Sequence, residues 1–245
     1  MKDYFALNAQ ILYWTLLAPF RGQFFKVGEV FHQMVLIGVR ALPMAALTTF
    51  SIGLTLAMQA AGQLSKMGAS QFVPDLVILS LLRELGPLLI GVIVIGRSGS
   101  AVTAELGTMK VSEEIEALQV MAINPIRFLI VPRFLAMMIM LPVLTVFGDC
   151  VGMVGGWSIS HYALDFTTPA YIVNSFARAE PWDLYSGLVK SVVFAWLIIT
   201  IACHMGLGVE GGAEGVGQAT TSSVVWSLLI MLVANASLTA LFFFA

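Results

Sequence analysis

The stretch SLLRELGPLLIGVIVIGRSGSA, residues 80–101, carries three charges in an otherwise apolar run: Arg83, Glu84 and Arg97. A charge at mid-bilayer costs roughly 2.5 to 3.5 kcal/mol on insertion scales, so charges placed there are paired or have a task. Arginine presents a planar fork of donors that holds a phosphate at two points. A carboxylate at the same depth provides a proton site. Neighbouring residues on a helix point about 100° apart, so Arg83 and Glu84 need not pair with each other within one chain. They are either an ion-paired packing device or a polar lining for a lipid headgroup. Lys190 stands at the start of a later apolar run. It can snorkel to the interface or face the same lining. The tetrad GRSG at 96–99 supplies a serine, Ser98, and His204 follows in a later apolar segment. A nucleophile and its base must come within hydrogen-bond reach, which four residues alone do not establish.

The elements that position these groups belong to a membrane protein. Of 245 residues, 59% are hydrophobic and 11% charged, whereas soluble domains carry about 25% charged residues. Such a chain cannot cover itself with a wetted surface. The net charge of −2 gives no electrostatic ground for a nucleic-acid partner. Cys150 and Cys203 lie far apart in apolar runs, without metal-ligand spacing, and read as packing residues. A bilayer crossing takes about 20 apolar residues. Spans are expected at 41–65, 76–96, 134–160, 191–209 and 222–244 of one all-α domain. Residues 1–40 form an N-terminal segment that is retained rather than cleaved, because Asn8 and Gln10 interrupt its apolar middle and no small-residue cleavage site follows. Tyr13 and Trp14 suit headgroup level. Residues 20–40, with Phe24, Phe25 and Phe31 among charges, read as an interfacial amphipathic helix.

Basic residues choose the orientation, because positively charged loops stay in the cytoplasm. Lys2, Arg21, Lys26, Arg40, Arg97, Lys110, Arg127 and Arg133 fall on one side, against Lys66, Arg178 and Lys190 on the other. The N-terminus and the loop after the second span are therefore expected in the cytoplasm, and the C-terminus outside. Arg97, roughly 21 Å along the helix from Arg83, falls at the cytoplasmic rim, with anchoring and coupling both open. The loop after it reads as a short helix at 111–124. Ser112 is its expected N-cap, Glu113, Glu114 and Glu116 lie in its first turn, and Ile115, Leu118 and Ala122 share a face. Asn124-Pro125 ends it. Anionic lipid repels three glutamates, so a protein partner suits this helix better than the membrane surface. Gly148, Gly152 and Gly156 repeat every four residues, a stripe for close helix approach, and Asp149 beside them is a further buried charge.

LLRELGPLLIGVIVIGRSGSAVTAELGTMKVSEEIEAL resembles the signature of MlaE-type permeases, the membrane subunits of ABC lipid transporters associated with MCE proteins. QMVLIGVRALPMAAL, NPIRFLIVPRFLA, LVKSVVF and QATTSSVVW extend the resemblance in order over nearly the whole chain. It implies a homodimer with a phospholipid cavity at its interface, lined by Arg83, Glu84, Lys190, Leu64 and Met67. It further implies that Glu105, Ser112, Glu113, Glu114, Ile115, Glu116 and Leu118 seat a coupling helix on an ABC ATPase. An MCE-domain, MlaD-like protein would exchange the lipid in the periplasm, which suits a bacterial inner membrane, with a plastid envelope as the alternative home, and implies a role in outer-membrane lipid asymmetry. No G-x-x-x-x-G-K-[ST] occurs, so ATP and Mg belong to the partner ATPase and this chain is expected to need no cofactor and to be no enzyme. Many relatives carry a basic residue where Gln218 stands; this chain does not. A proton-driven carrier using Glu84 or Asp149, and an intramembrane serine protease using Ser98 and His204, are the rival readings.

Overall fold

The computed structural model describes residues 2–17 and 27–244. All regular elements among them are helical. The reason is solvation: inside hydrocarbon each backbone N–H and C=O needs an internal partner, which a helix gives within one segment. The elements are α1 (Lys2–Leu12), α2 (Val27–Ile37), α3 (Leu42–Leu64), α4 (Val73–Ser80), α5 (Gly86–Val94), α6 (Ser100–Val111), α7 (Glu114–Val120), α8 (Val131–Leu164), α9 (Thr168–Ala177), α10 (Pro181–Leu207) and α11 (Gly212–Phe244). π-helical turns at Leu81–Leu85 and Ile95–Gly99 join α4, α5 and α6 into one continuous apolar rod. Five stretches are long and apolar enough to cross a membrane: Val27–Met67, Ser70–Val111, Ile126–Leu164, Pro181–Leu207 and Gly212–Phe243. Each contains one of the five spans expected from the sequence, apart from the last few residues of two of them. The part of the expected 20–40 helix before Val27 lies outside the described residues; the remainder forms α2 and a 3₁₀ turn, Val39–Ala41.

The chain forms two compact units. One comprises Leu42–Gly91 and Pro142–Ser191; the other comprises Met1–Ala41, Val92–Leu141 and Val192–Ala245. In the first, α3 turns Ala57, Ala60 and Ala61, at i, i+3 and i+4, into a core with Val73, Val77 and Leu81. Small side chains let the helix backbones approach, which is how helices associate where burial from water gives no drive. The expected glycine stripe on α8 serves this purpose. Gly148 lies against Thr49 and Ile90, and Gly156 against Val77 and Tyr171. At Gly53 an added Cβ would strike the Gly152 backbone itself. Gly53→Ala is therefore expected to push α3 off α8 and cost about 1–3 kcal/mol, the usual range for overpacking. Thermal unfolding of the purified variant checks this, and an unchanged midpoint would deny the close approach.

In the second unit α1 is tied to α10. Ile11 and Leu7 are buried. Tyr4 and Thr200 share a hydroxyl hydrogen bond of 2.8 Å, and Trp196 Nε1 donates to Asn8 Oδ1 at 3.0 Å. Asn8, which interrupts the apolar run, is there to receive that indole. α6 and α11 pack through the Thr103 hydroxyl, 2.9 Å from Ser223 Oγ, and through Gly107 against Val209 and Val216.

Candidate functional site

Four charged side chains meet in the first unit. Arg83 Nε donates to Asp183 Oδ1 at 2.5 Å, and Lys190 Nζ donates to Glu84 Oε1 at 2.5 Å. Arg83 and Glu84 do not pair with each other; each takes a partner of opposite sign on α10. Asp183 and Lys190 are seven residues apart, two helical turns, so both point from one face of α10. The charges sum to zero, which is what lets them persist where single charges are costly.

The local backbone explains why the group forms here. In a regular helix the Arg83 carbonyl would accept from the N–H of residue 87, but Pro87 has none. The chain answers with the π-helical turn, and Lys190 Nζ donates to Arg83 O at 2.8 Å. Such turns frequently sit at functional sites. Lys190 is thus a buried partner, its side chain 2% exposed, rather than a snorkelling residue. Gly187 lets α10 close on this turn, because a Cβ there would meet the Leu82 carbonyl.

Exposure within the quartet is uneven. The Asp183 side chain is 0% exposed and that of Arg83 is 55% exposed. Asp183 also accepts from the Glu180 N–H at 2.9 Å through Oδ2. A fixed, buried carboxylate therefore grips the Nε edge of an accessible guanidinium and leaves its two terminal nitrogens as donors. This geometry can take an anionic oxygen pair. Asp183 was not legible as a site residue by span reading. The signal that finds it is its seven-residue spacing from Lys190, with signs complementary to Arg83-Glu84. Leu64 and Met67, the other expected cavity residues, do not join the quartet. Leu64 packs on the α3–α4 core, and Met67 lies exposed in a 3₁₀ turn, Ser65–Met67.

The second group of expected site residues lies in the other unit, around α7. The structure corrects the expected helix 111–124 to Glu114–Val120, and Ser112 is not its N-cap. α6 runs on to Val111, so Ser112 ends it, its hydroxyl donating back to Thr108 O at 3.0 Å. The sharp turn into α7 is made by Glu113 in the left-handed region, φ 60°. Ala122, expected on the apolar face, instead lies beyond the helix at φ 57° and closes it with a Schellman pattern: Ile123 N donates to Leu118 O and Ala122 N to Gln119 O, both at 2.9 Å. Ile115 is buried, and Leu118 half-buried. Asn124 faces forward: its Oδ1 accepts from Ile126 N at 3.0 Å and opens the next helical turn. Glu113 and Glu114 are exposed. Glu116 is not free, because Lys110 binds it. The hydrogen bond from Lys110 holds the Glu116 carboxyl below its usual range. Glu105 pairs with buried Arg133 at 2.8 Å, which ties α6 to α8.

Arg97 donates to Leu36 O at 3.1 Å, and Ser98 Oγ to Ile37 O at 2.9 Å. Both residues thus pin the end of α2. The Ser98 hydroxyl is committed to a carbonyl, and His204 packs edge-on against Tyr4, 5.5 Å between ring centres; the nucleophile–base geometry of a serine protease is not formed by this pair.

Five apolar spans, a neutral charged quartet between the second and fourth of them and a short acidic helix between spans define a multi-pass α-helical membrane protein with the parts of a transport subunit. A family model described as Permease MlaE matches residues 30–241, and the chain belongs to that family. It is 42% identical to a probable ABC transporter permease protein of Rickettsia prowazekii over 87% of this chain and 83% of that one. A probable ABC transporter permease protein of Synechocystis is 39% identical, over 90% and 89% of the two chains. The chloroplastic protein TRIGALACTOSYLDIACYLGLYCEROL 1 of Arabidopsis thaliana is 35% identical, over 86% of this chain and 61% of the relative.

Proposed function

We propose that this chain is the permease subunit of an ABC transporter that moves phospholipid between the bacterial inner membrane and a periplasmic MCE-domain protein. The observation that carries the reading is the Arg83–Asp183 pair: an accessible guanidinium at membrane depth, held by a buried carboxylate, is suited to a phosphate headgroup. The names of the bacterial and cyanobacterial relatives support the transporter class, and the name of the Arabidopsis relative refers to a glycerolipid. Hydrolysis of ATP takes place in a separate ATPase that seats α7, with Glu113, Glu114 and Ile115 at the contact. The chain works as a homodimer. Its fifth span supports this, because only 11% of its most apolar stretch is buried within the chain, against 67% for the third and fourth. The N-terminus faces the cytoplasm and the C-terminus the periplasm, by the distribution of basic residues.

The test is lipid transfer by the reconstituted transporter. Arg83→Ala is expected to lower phospholipid transfer about tenfold or more, the loss of a charge-assisted bidentate contact, while membrane insertion is kept. Glu84→Ala is expected to reduce it as well. Normal transfer in both variants, at normal protein levels, would remove the headgroup role. Mass spectrometry of the chain drawn gently from its native membrane reports the partners. An ABC ATPase, an MCE-domain protein and phospholipid are the expected companions; a chain that comes out alone would overturn the assembly.

A further inference from the structure

A cavity of about 430 Å³ lies within the first unit, and Arg83 is not among its lining residues. One wall is α8, where Val146, Asp149, Cys150 and Met153 stand at i, i+3, i+4 and i+7, one face running roughly 10 Å along the helix. Leu82 closes it from the second span, and Glu180 stands at the start of α10. Its volume falls in the range of small-ligand sites, about 300–1,000 Å³. The lining is overwhelmingly apolar, and Val146 and Leu184 are both partly open, so the groove is reached from the lipid side.

Its polar groups are all of one kind. Asp149 and Glu180 are carboxylates, and no lysine or arginine is among the lining residues. The cations next along the chain are already engaged: Arg83 on Asp183, and Arg178 on Asp75 and over the Phe72 ring. Asp149 is 4% exposed; its Oδ1 is closed off against Gly86 where a Cβ would stand and has no hydrogen-bond partner among the described residues, which leaves Oδ2 as the oxygen open to a ligand. A buried carboxylate without a donor is costly, and a ligand that brings one to Oδ2 recovers part of that cost. An acidic amphiphile would meet two carboxylates; an amine would meet two acceptors.

The geometry points to a second amphiphile site, which binds an aliphatic chain bearing a protonated amine, with the chain along Val146–Met153 and the ammonium at Asp149 and Glu180. It does not depend on the transport reading, since it is defined by binding alone, and it selects the sign opposite to the anion suited to Arg83. Cys150, a free exposed thiol in the wall, reports occupancy directly, whereas Cys203 is buried.

The experiment uses the full chain in phosphatidylcholine nanodiscs, whose headgroup offers no N–H donor. The rate of maleimide addition to Cys150 is followed by mass spectrometry with dodecylamine, dodecanol or dodecanoic acid present. Dodecylamine is expected to slow labelling about fivefold or more at saturation, and dodecanoic acid less than about twofold. Asp149→Asn, which keeps the shape, is expected to abolish the preference for the amine. Val146→Trp fills the groove from its open wall and is expected to make labelling insensitive to all three probes. Equal protection by the three probes in the parent chain would reduce the effect to membrane partitioning and overturn the site, as would no protection at all. A preference for amine that survives Asp149→Asn would overturn the assignment of its head.

Discussion

Lys190→Met is expected to be among the most damaging single changes in the first unit. It removes the cation bonded to Glu84 and the donor on the Arg83 carbonyl that Pro87 leaves without an N–H. Breaking a buried pair by deleting one member costs about 3–5 kcal/mol, because the other charge is stranded. Glu84 is 35% exposed, so water or headgroups return part of that, and about 2–3 kcal/mol is the better figure. The carbonyl adds roughly 1 kcal/mol. At about 2–4 °C per kcal/mol for a chain of this length, the unfolding midpoint of the purified protein should fall by roughly 6–16 °C. Lys190→Met with Glu84→Gln removes the stranded charge, and most of the lost stability should return. The double-mutant cycle separates stability from transport: the double variant folds yet transfers lipid poorly if the quartet also positions Arg83. A Lys190→Met midpoint within a degree or two of the parent would show that the pair carries no structural weight.

The sequence was most legible where hydrophobic length alone decides. All five expected spans correspond to apolar helices, because length and hydropathy fix a crossing whatever its neighbours do. It was less legible where a helix end depends on the path of the chain. Ser112 carries the chemistry of an N-cap, but α6 extends to it, and a serine at the end of a helix bonds backwards as readily as forwards. The turn was made by Glu113 with a positive φ, for which a glutamate gives no signal. Asn8 read only as a polar interruption of the kind that argues against a cleaved leader; it is a receptor for Trp196, 188 residues away. Pairing across such separations is invisible to local periodicity. The quartet was half visible: the charges costly enough to notice, Arg83, Glu84 and Lys190, were found by depth. Asp183 was passed over because it lies eight residues ahead of the expected fourth span, where a carboxylate looks solvated, yet the helix begins at Pro181 and the Asp183 side chain is 0% exposed.

Charge reversal on the short acidic helix should divide by residue, and the structure says how. Glu113 and Glu114 are exposed and make no ion pair among the described residues, and Glu114 accepts from the Ser112 hydroxyl at 3.0 Å, so both carboxylates can meet a partner. Glu116 is held by Lys110, so Glu116→Lys sets two cations against each other at the α6–α7 turn and disturbs the helix itself. Glu113→Lys together with Glu114→Lys is therefore expected to leave the chain folded while abolishing capture of the ATPase. Like-charge contact across an interface costs several kcal/mol, so a loss of about a hundredfold or more in affinity follows. Ile115→Asp should fail at both levels, because it places a carboxylate in a buried position. The readout is pull-down of the ATPase with the unfolding midpoint measured alongside. Retained assembly and normal stimulation of hydrolysis in the Glu113/Glu114 double variant would refute this docking site. Loss of assembly with an unchanged midpoint would place the contact on the exposed first turn of α7, and Glu116 would be assigned to holding that turn in shape.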